Sequence, residues 1–168
     1  MQKYFTDKGA YYIFLEDTKE NVVNSKTLET INTIIKKDIY TKDGVNLDLS
    51  RTTITEISDR FFEGNKNLKK VILPDTLTII GQYAFYDCSS LTEINFPSSI
   101  ADIKDAAFQS CISLKTADLS QTKIVTASDK LFDNCSSLIE VILPETVTLI
   151  KKSFSSCSAL KEVNLLSK

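Results

Sequence analysis

The chain contains no histidine and no tryptophan. Without histidine there is no imidazole base, no Ser-His-Asp or Cys-His nucleophile system, and no metal site that relies on histidine. Glycine occurs 4 times and proline 3 times in 168 residues. No G-x-G-x-x-G or G-x-x-x-x-G-K-[ST] run is present, so the usual phosphate-cradling loops are missing. No apolar run approaches the ~18 residues of a membrane span. The run Tyr11-Tyr12-Ile13-Phe14-Leu15 is too short for a signal-peptide core, so export would need a signal outside this chain. Charge of one sign is also scarce. Lys+Arg is 20 against Asp+Glu 22, a net −2, which argues against phosphate binding through a basic surface and against a polybasic membrane anchor.

What the sequence does contain is a clock. Phe62, Phe85, Phe108, Phe132 and Phe154 are spaced by 23, 23, 24 and 22 residues. Three residues after each stands Asn65, Cys88, Cys111, Cys135 or Cys157, and three further stands Leu68, Leu91, Leu114, Leu138 or Leu160. A short alternation follows: Val71/Leu73, Ile94/Phe96, Ala117/Leu119, Val141/Leu143 and Val163/Leu165. Units this short cannot bury their own apolar face, whereas stacked units bury a shared one. The alternation predicts a strand in each unit, and stacking at ~4.8 Å predicts a parallel ladder. Pro74, Pro97 and Pro144 each follow a strand directly and end it, since proline has no N–H to donate. The back of each turn carries an inward pair: Ile54/Ile57, Leu77/Ile80, Ile100/Ile103, Ile124/Ala127 and Val147/Ile150.

The segments Cys88-Ser-Ser-Leu-Thr-Glu-Ile-Asn-Phe-Pro97 and Leu77-Thr-Ile-Ile-Gly-Gln-Tyr-Ala-Phe85 closely resemble the BspA-like, or Treponema-type, leucine-rich repeat. The resemblance covers residues 45–168. It implies a leucine-rich repeat solenoid with short parallel strands on the concave face, an irregular back, and about five to six turns. Two units depart from the pattern. Leu47 to Ile54 and Ala117 to Ile124 lack the proline and carry one extra residue before the inward isoleucine. Thr52, Thr76, Ser99, Thr122 and Thr146 occupy the slot where related repeats hold an asparagine. A hydroxyl ladder there would tie adjacent turns through side-chain to backbone hydrogen bonds. The last unit is one residue short before Phe154, which predicts a local distortion.

Residues 1–44 lie off the clock and are expected to form an N-terminal capping segment ahead of the repeat domain 45–168. A strand is expected over about 11–15. A helix is expected over about 25–37, where Leu28, Ile31, Ile34 and Ile35 have helical spacing behind an Asn24 or Ser25 cap. It should pack on Leu47 and Leu49, with Lys42-Asp43-Gly44 as the turn between. No polar capping unit follows the last strand before Lys168. Continuation in a longer protein, pairing in an oligomer through this open edge, and fold-back of the final residues are three ways to cover it.

Four cysteines invite a zinc or disulfide reading, but zinc ligands come in close pairs. Here one cysteine occupies the same slot in each of four turns, which reads as a stack of small buried thiols. Stacked side chains point the same way, a poor disulfide geometry. The sequon Asn134-Cys135-Ser136 overlaps this core slot and is given no weight. No catalytic pair, metal site or cofactor site is expected.

The residues flanking each inward strand position must point outward onto the concave face. They are Asn46/Asp48, Lys70/Ile72, Glu93/Asn95, Thr116/Asp118, Glu140/Ile142 and Glu162/Asn164. Five are carboxylates and one is a lysine, while Lys104, Lys123, Lys130, Lys151 and Lys152 lie in the back segments. This predicts an acidic concave strip with two exposed isoleucines, opposite a more basic back. Apolar residues rimmed by charge mark interaction sites. Calcium is the weaker reading, because a single row of carboxylates does not supply six or more oxygens. The expected activity is therefore non-enzymatic protein binding, with a basic partner favoured, no nucleic acid and no membrane insertion. The family resemblance implies a cell-surface or secreted protein that binds host matrix, host cells or other microbes. The alternative is a structural spacer or accessory domain of a larger protein.

Overall fold

The computed structural model describes residues 2–5, 11–19, 22–37 and 44–165. The chain opens with β1 (Gln2–Phe5), β2 (Tyr11–Glu16) and helix α1 (Ser25–Lys36). Eleven strands follow: β3 (Val45–Arg51), β4 (Glu56–Ile57), β5 (Leu68–Ile72), β6 (Ile79–Ile80), β7 (Glu93–Ile94), β8 (Asp102–Ile103), β9 (Thr116–Asp118), β10 (Thr126–Ala127), β11 (Glu140–Leu143), β12 (Leu149–Ile150) and β13 (Glu162–Leu165). From β3 onward all pairing is parallel and joins every second strand, as in β3–β5 and β4–β6. The result is a stack of turns with a longer-strand face and a shorter-strand back, about five turns in all. The expected solenoid is therefore the observed fold.

The clock residues build its axis. Phe62, Phe85, Phe108 and Phe132 are fully buried. Their rings stack at 5.1, 5.1 and 5.5 Å, and Phe154 continues the column 6.1 Å beyond Phe132. Each buried ring contributes roughly 1.5–3 kcal/mol through area removed from water, with a further term for the offset stacking. On both sides of the column the backbone enters the left-handed region. Arg60, Tyr83, Ala106 and Lys130 do so two residues before the ring, and Gly64, Asp87, Ser110, Asn134 and Ser156 two residues after. These tight reversals let the coil turn twice around each ring.

The four thiols form a second column. Cys88, Cys111, Cys135 and Cys157 donate to the carbonyls of Phe62, Phe85, Phe108 and Phe132, at 3.2, 3.1, 3.1 and 3.0 Å. In the first turn there is no earlier phenylalanine carbonyl, and Asn65 donates instead to Asn32 Oδ1 of α1 at 2.8 Å. Asn32 donates on to the Phe61 carbonyl, and Asn67 donates to the Ile35 carbonyl. The helix is thereby fastened over the first turn. Leu28, Ile31 and Ile35 join the same core as Leu47 and Leu49. Asn24 is its N-cap, accepting from the Thr27 N–H at 3.1 Å. The helix ends at Lys36, one residue earlier than the spacing indicates, and β2 runs one residue longer, to Glu16. Of the expected turn 42–44, Lys42 and Asp43 lie outside the described residues. Gly44 has φ +74, and a Cβ there would lie 3.1 Å from the Asn67 carbonyl oxygen.

The hydroxyl ladder forms only in part. Thr76, Ser99 and Thr146 reach one turn back, to the carbonyls of Ile54, Leu77 and Ile124. Thr52 and Thr122 bond within their own turn, to Leu49 and Leu119 at 2.8 and 2.7 Å. These two sit in the proline-free units, where the extra residue widens the bend and aims the hydroxyl inward. The distortion expected near Phe154 is also present. Earlier turns close with N–H bonds three residues long, such as Ala84 to Gly81 and Ala107 to Lys104, but Ser153 bonds Lys151, two residues back. Ile150, expected inward, is 41% exposed. In the last turn no further turn covers it among the described residues.

Candidate functional site

The outward side chains of the longer-strand face fall into rows. Pairing in register sets Asn46 beside Lys70 and Lys70 beside Glu93. It sets Asp48 beside Ile72. Farther along, Glu140 lies between Thr116 and Glu162, and Ile142 between Asp118 and Asn164. All eleven sequence-predicted residues (Asp48, Lys70, Ile72, Glu93, Asn95, Thr116, Asp118, Glu140, Ile142, Glu162 and Asn164) are exposed or half-buried. Between them, Leu47, Val71, Ala117 and Val141 are buried, as a period of two requires.

Several of these side chains are engaged with their own fold. Lys70 forms an ion pair with Glu93. Asp48 accepts from the Ser50 N–H at 2.8 Å and Asp118 from the Ser120 N–H at 3.0 Å. The two bonds match, but only Asp118 stands at the end of its strand, where proline does that work elsewhere; β3 runs on past Asp48 to Arg51. Asn95 accepts from the Leu73 N–H at 2.6 Å and donates to the Leu73 carbonyl at 3.1 Å. Its amide thus replaces a backbone rung, and the strand stops at Ile94. Asn164 donates to Glu140 at 3.2 Å.

The face is not one continuous sheet. β1-β2-β3-β5-β7 form one sheet and β13-β11-β9 another. The ladder breaks between the turn that Asn95 closes and the proline-free turn that follows. The N-terminal half carries the Lys70–Glu93 pair and Asp48. The C-terminal half carries Asp118, Glu140 and Glu162, and no cation among its outward strand positions.

Two residues of the face escape a repeat-based reading. β2 lies parallel to β3 and in register with it, Tyr12 beside Asn46 and Phe14 beside Asp48. Ile13 and Leu15 are buried while Phe14 is 39% exposed. The two rings stack at 6.4 Å and 15°. Alternation along 11–15 was legible in the sequence; that this strand would join the face, and run parallel, was not.

The back is of mixed sign rather than basic. A groove of about 430 Å³ there is lined by Asp59, Asp102 and Asp105 as well as Lys104 and Lys151. Asp102 pairs with Lys104 and holds its ammonium above the usual lysine range. The cysteines offer no reactive site. Burial pushes the Cys88 and Cys135 thiols up to about 12, and raises Cys111 and Cys157 too. No group of three or more metal-ligating side chains occurs among the described residues. No helix among them is long and apolar enough to cross a membrane.

Comparison with known proteins agrees with this architecture. The family described as "BspA type Leucine rich repeat region" matches residues 55–168 in 6 copies. A solved leucine-rich repeat protein of T. pallidum is similar at 25% identity and TM-score 0.62, covering 96% of this chain and 67% of that one. One from Eubacterium ventriosum is similar at 29% identity and TM-score 0.58, covering 69% and 34%. A leucine-rich cell surface protein from Faecalibacterium prausnitzii is similar at 25% and 0.54, covering 77% and 40%. The chain thus spans well under half the length of the last two. No curated protein matches it.

Proposed function

The chain belongs to the BspA-type leucine-rich repeat family, and from that premise we propose that it is a non-enzymatic binding module whose concave strand face recognises a basic surface of a protein partner. One observation carries the reading. Asp118, Glu140 and Glu162 share one half of the face with half-buried Ile142, and no cation stands among the outward residues of those strands. Such a surface attracts cations over a Debye length and offers apolar area on contact. The family's usual role in protein interaction supports it, and the cell-surface relative from F. prausnitzii supports a surface or secreted setting. In that setting the partner is a host or microbial protein. Residues 1–44 act as the N-terminal cap of the repeat domain 45–168.

The test is a binding screen against matrix proteins and cell surfaces at low and high salt, comparing the native chain with Glu140→Lys/Glu162→Lys. Glu93 is left alone because reversing it would set two lysines together, and Asp118 because its carboxylate ends a strand. We expect salt-sensitive binding that the double variant loses by at least tenfold. Binding that ignores both salt and the substitutions removes the concave face from the account.

A specific observation favours a second reading, a spacer or accessory domain. Leu149 is 51% and Ile150 41% exposed, and Phe154, Leu160 and Val163 are only half-buried, although Ala127, Phe132, Leu138 and Val141, the counterparts of the last four one turn earlier, are buried. This apolar end suits coverage by another part of an assembly.

A further inference from the structure

The strand face is chemically polarised from end to end. At the N-terminal end stand the stacked rings of Tyr12 and Phe14, with Phe14, Asp48 and Ile72 forming one row across three strands. Phe14 is 39% exposed. Of the cations on these strands, Lys70 pairs with Glu93 and Arg51 with Glu16, and Lys69 is exposed at the start of β5. At the C-terminal end Asp118, Glu140 and Glu162 stand without a cation in their rows.

We propose that the face is a two-part docking site for an extended segment of a partner protein. An apolar or aromatic side chain of the segment seats against Tyr12, Phe14 and Ile72, and a Lys/Arg cluster seats on Asp118, Glu140 and Glu162. The inference rests on the reading of the face as a binding surface and adds the partner's pattern to it. Charge selects a polypeptide of this kind. Anionic headgroups and phosphodiesters are repelled by the carboxylate end, and an uncharged ligand leaves that end unused.

Geometry sets the pattern's length. β9 and β13 lie four and six strands from β2 along the face, which is roughly 19–29 Å at ~4.8 Å per strand. An extended segment advances ~3.3 Å per residue, so the basic cluster stands about six to nine residues from the apolar anchor. The two ends also differ in salt response. Exposed charges are screened, whereas apolar contact is not.

Fluorescence anisotropy with labelled synthetic peptides tests this on the whole chain. The probe carries one Phe, a seven-residue Gly/Ser spacer and Lys-Arg-Lys; controls lack the Phe, lack the basic cluster, or shorten the spacer to two. The full probe should bind at least fivefold tighter than any control. Phe14→Ser and Tyr12→Ser should each weaken it by a similar factor at 50 and 500 mM salt, with circular dichroism unchanged. Glu140→Lys/Glu162→Lys should remove the salt-dependent part. Equal binding of the Phe-free peptide, indifference to Phe14→Ser, or no peptide binding at all overturns the two-part site. If the charge variant still loses binding to a screened partner, the acidic-face reading survives that result; if it does not, both fall. A Phe14-dependent dimer in sedimentation velocity assigns the aromatic end to a second copy and also overturns the proposal.

Discussion

The thiol of Cys111 donates a hydrogen bond to the carbonyl oxygen of Phe85, one turn back in the coil, at 3.1 Å. The same bond recurs at Cys88, Cys135 and Cys157. One side chain therefore fills the core gap beside each ring and gives the ring residue's carbonyl a second donor, beside the backbone N–H three residues on, as the Cys88 N–H is for Phe85 at 3.2 Å. Serine would keep the second hydrogen bond but leave a void, and valine would fill the void but leave the carbonyl with its backbone donor alone.

The first prediction concerns those thiols. Cys88, Cys111 and Cys135 are fully buried and Cys157 is partly exposed. In the native chain a thiol reagent at pH 8 should label Cys157 first, and the other three only on unfolding. Mass spectrometry of timed samples reads the order. Equal labelling of all four would mean that the column opens as readily as the last turn.

The second is the pH dependence that follows. An unfolded thiol releases its proton near 9.0, while Cys135 in the fold does so at about 12. Between those values the folded state holds protons that the unfolded state has lost. Stability is therefore fully supported below pH 9 and falls as pH rises toward 12, by about 1.4 kcal/mol per pH unit for one thiol. Urea unfolding at pH 8, 9 and 10 should show a shallower decline for Cys135→Val than for the native chain. Lysine and tyrosine titration is common to both and cancels in the difference.

A third prediction isolates the helix contact. Asn65→Ala leaves Asn32 without the donor that now reaches it at 2.8 Å. An orphaned buried polar group costs about 1–3 kcal/mol, so the melting temperature should fall by several degrees. Asn65→Cys, which restores the residue type of the other turns, should fare no better, because no preceding phenylalanine carbonyl awaits the thiol. If Asn65→Cys matches the native chain, the asparagine is not what fastens the helix.

Two glycines separate strain from space. At Gly64, φ is +68 and an added Cβ meets nothing within 4 Å, so Gly64→Ala should cost only the left-handed penalty, about 1–2 kcal/mol. At Gly81 a Cβ would lie 2.5 Å from the Asp59 backbone nitrogen. Gly81→Ala must push the first two turns apart and should destabilise more than Gly64→Ala. Calorimetry on the pair checks the order. Lys130, exposed at φ 55, supplies the converse: Lys130→Gly should be neutral or stabilising by about 0.5 kcal/mol.

A fifth prediction concerns the end of β9. Asp118→Ala removes the acceptor for the Ser120 N–H and should cost about 1 kcal/mol, whereas Asp118→Asn keeps an oxygen there and should cost less. Equal losses would assign the effect to charge rather than to the turn.

How far the sequence reached differs between the two faces of each strand. Inward positions were legible because burial of an apolar side chain contributes roughly 1.5–3 kcal/mol and a period of two leaves no other side for it. Phe62, Phe85, Phe108 and Phe132 are therefore where their spacing placed them. Even the missing residue before Phe154 was visible as a count, and it emerges as the shortened Ser153–Lys151 turn. Outward positions were legible only as positions. Hydrogen bonds of about 1 kcal/mol choose between near-equal partners there, and the choice depends on how adjacent turns are offset. That offset sent Asn95 to the backbone of Leu73, turned Asp48 and Asp118 onto the N–H groups two residues ahead of them, and split the sheet. Strand pairing across the long segment between β2 and β3 is likewise non-local. By itself the sequence determined the coil, its core and its register. Only the tertiary structure decided that Tyr12 and Phe14 stand on the same face as the carboxylates, because that depends on which edge β2 joins and in which direction it runs.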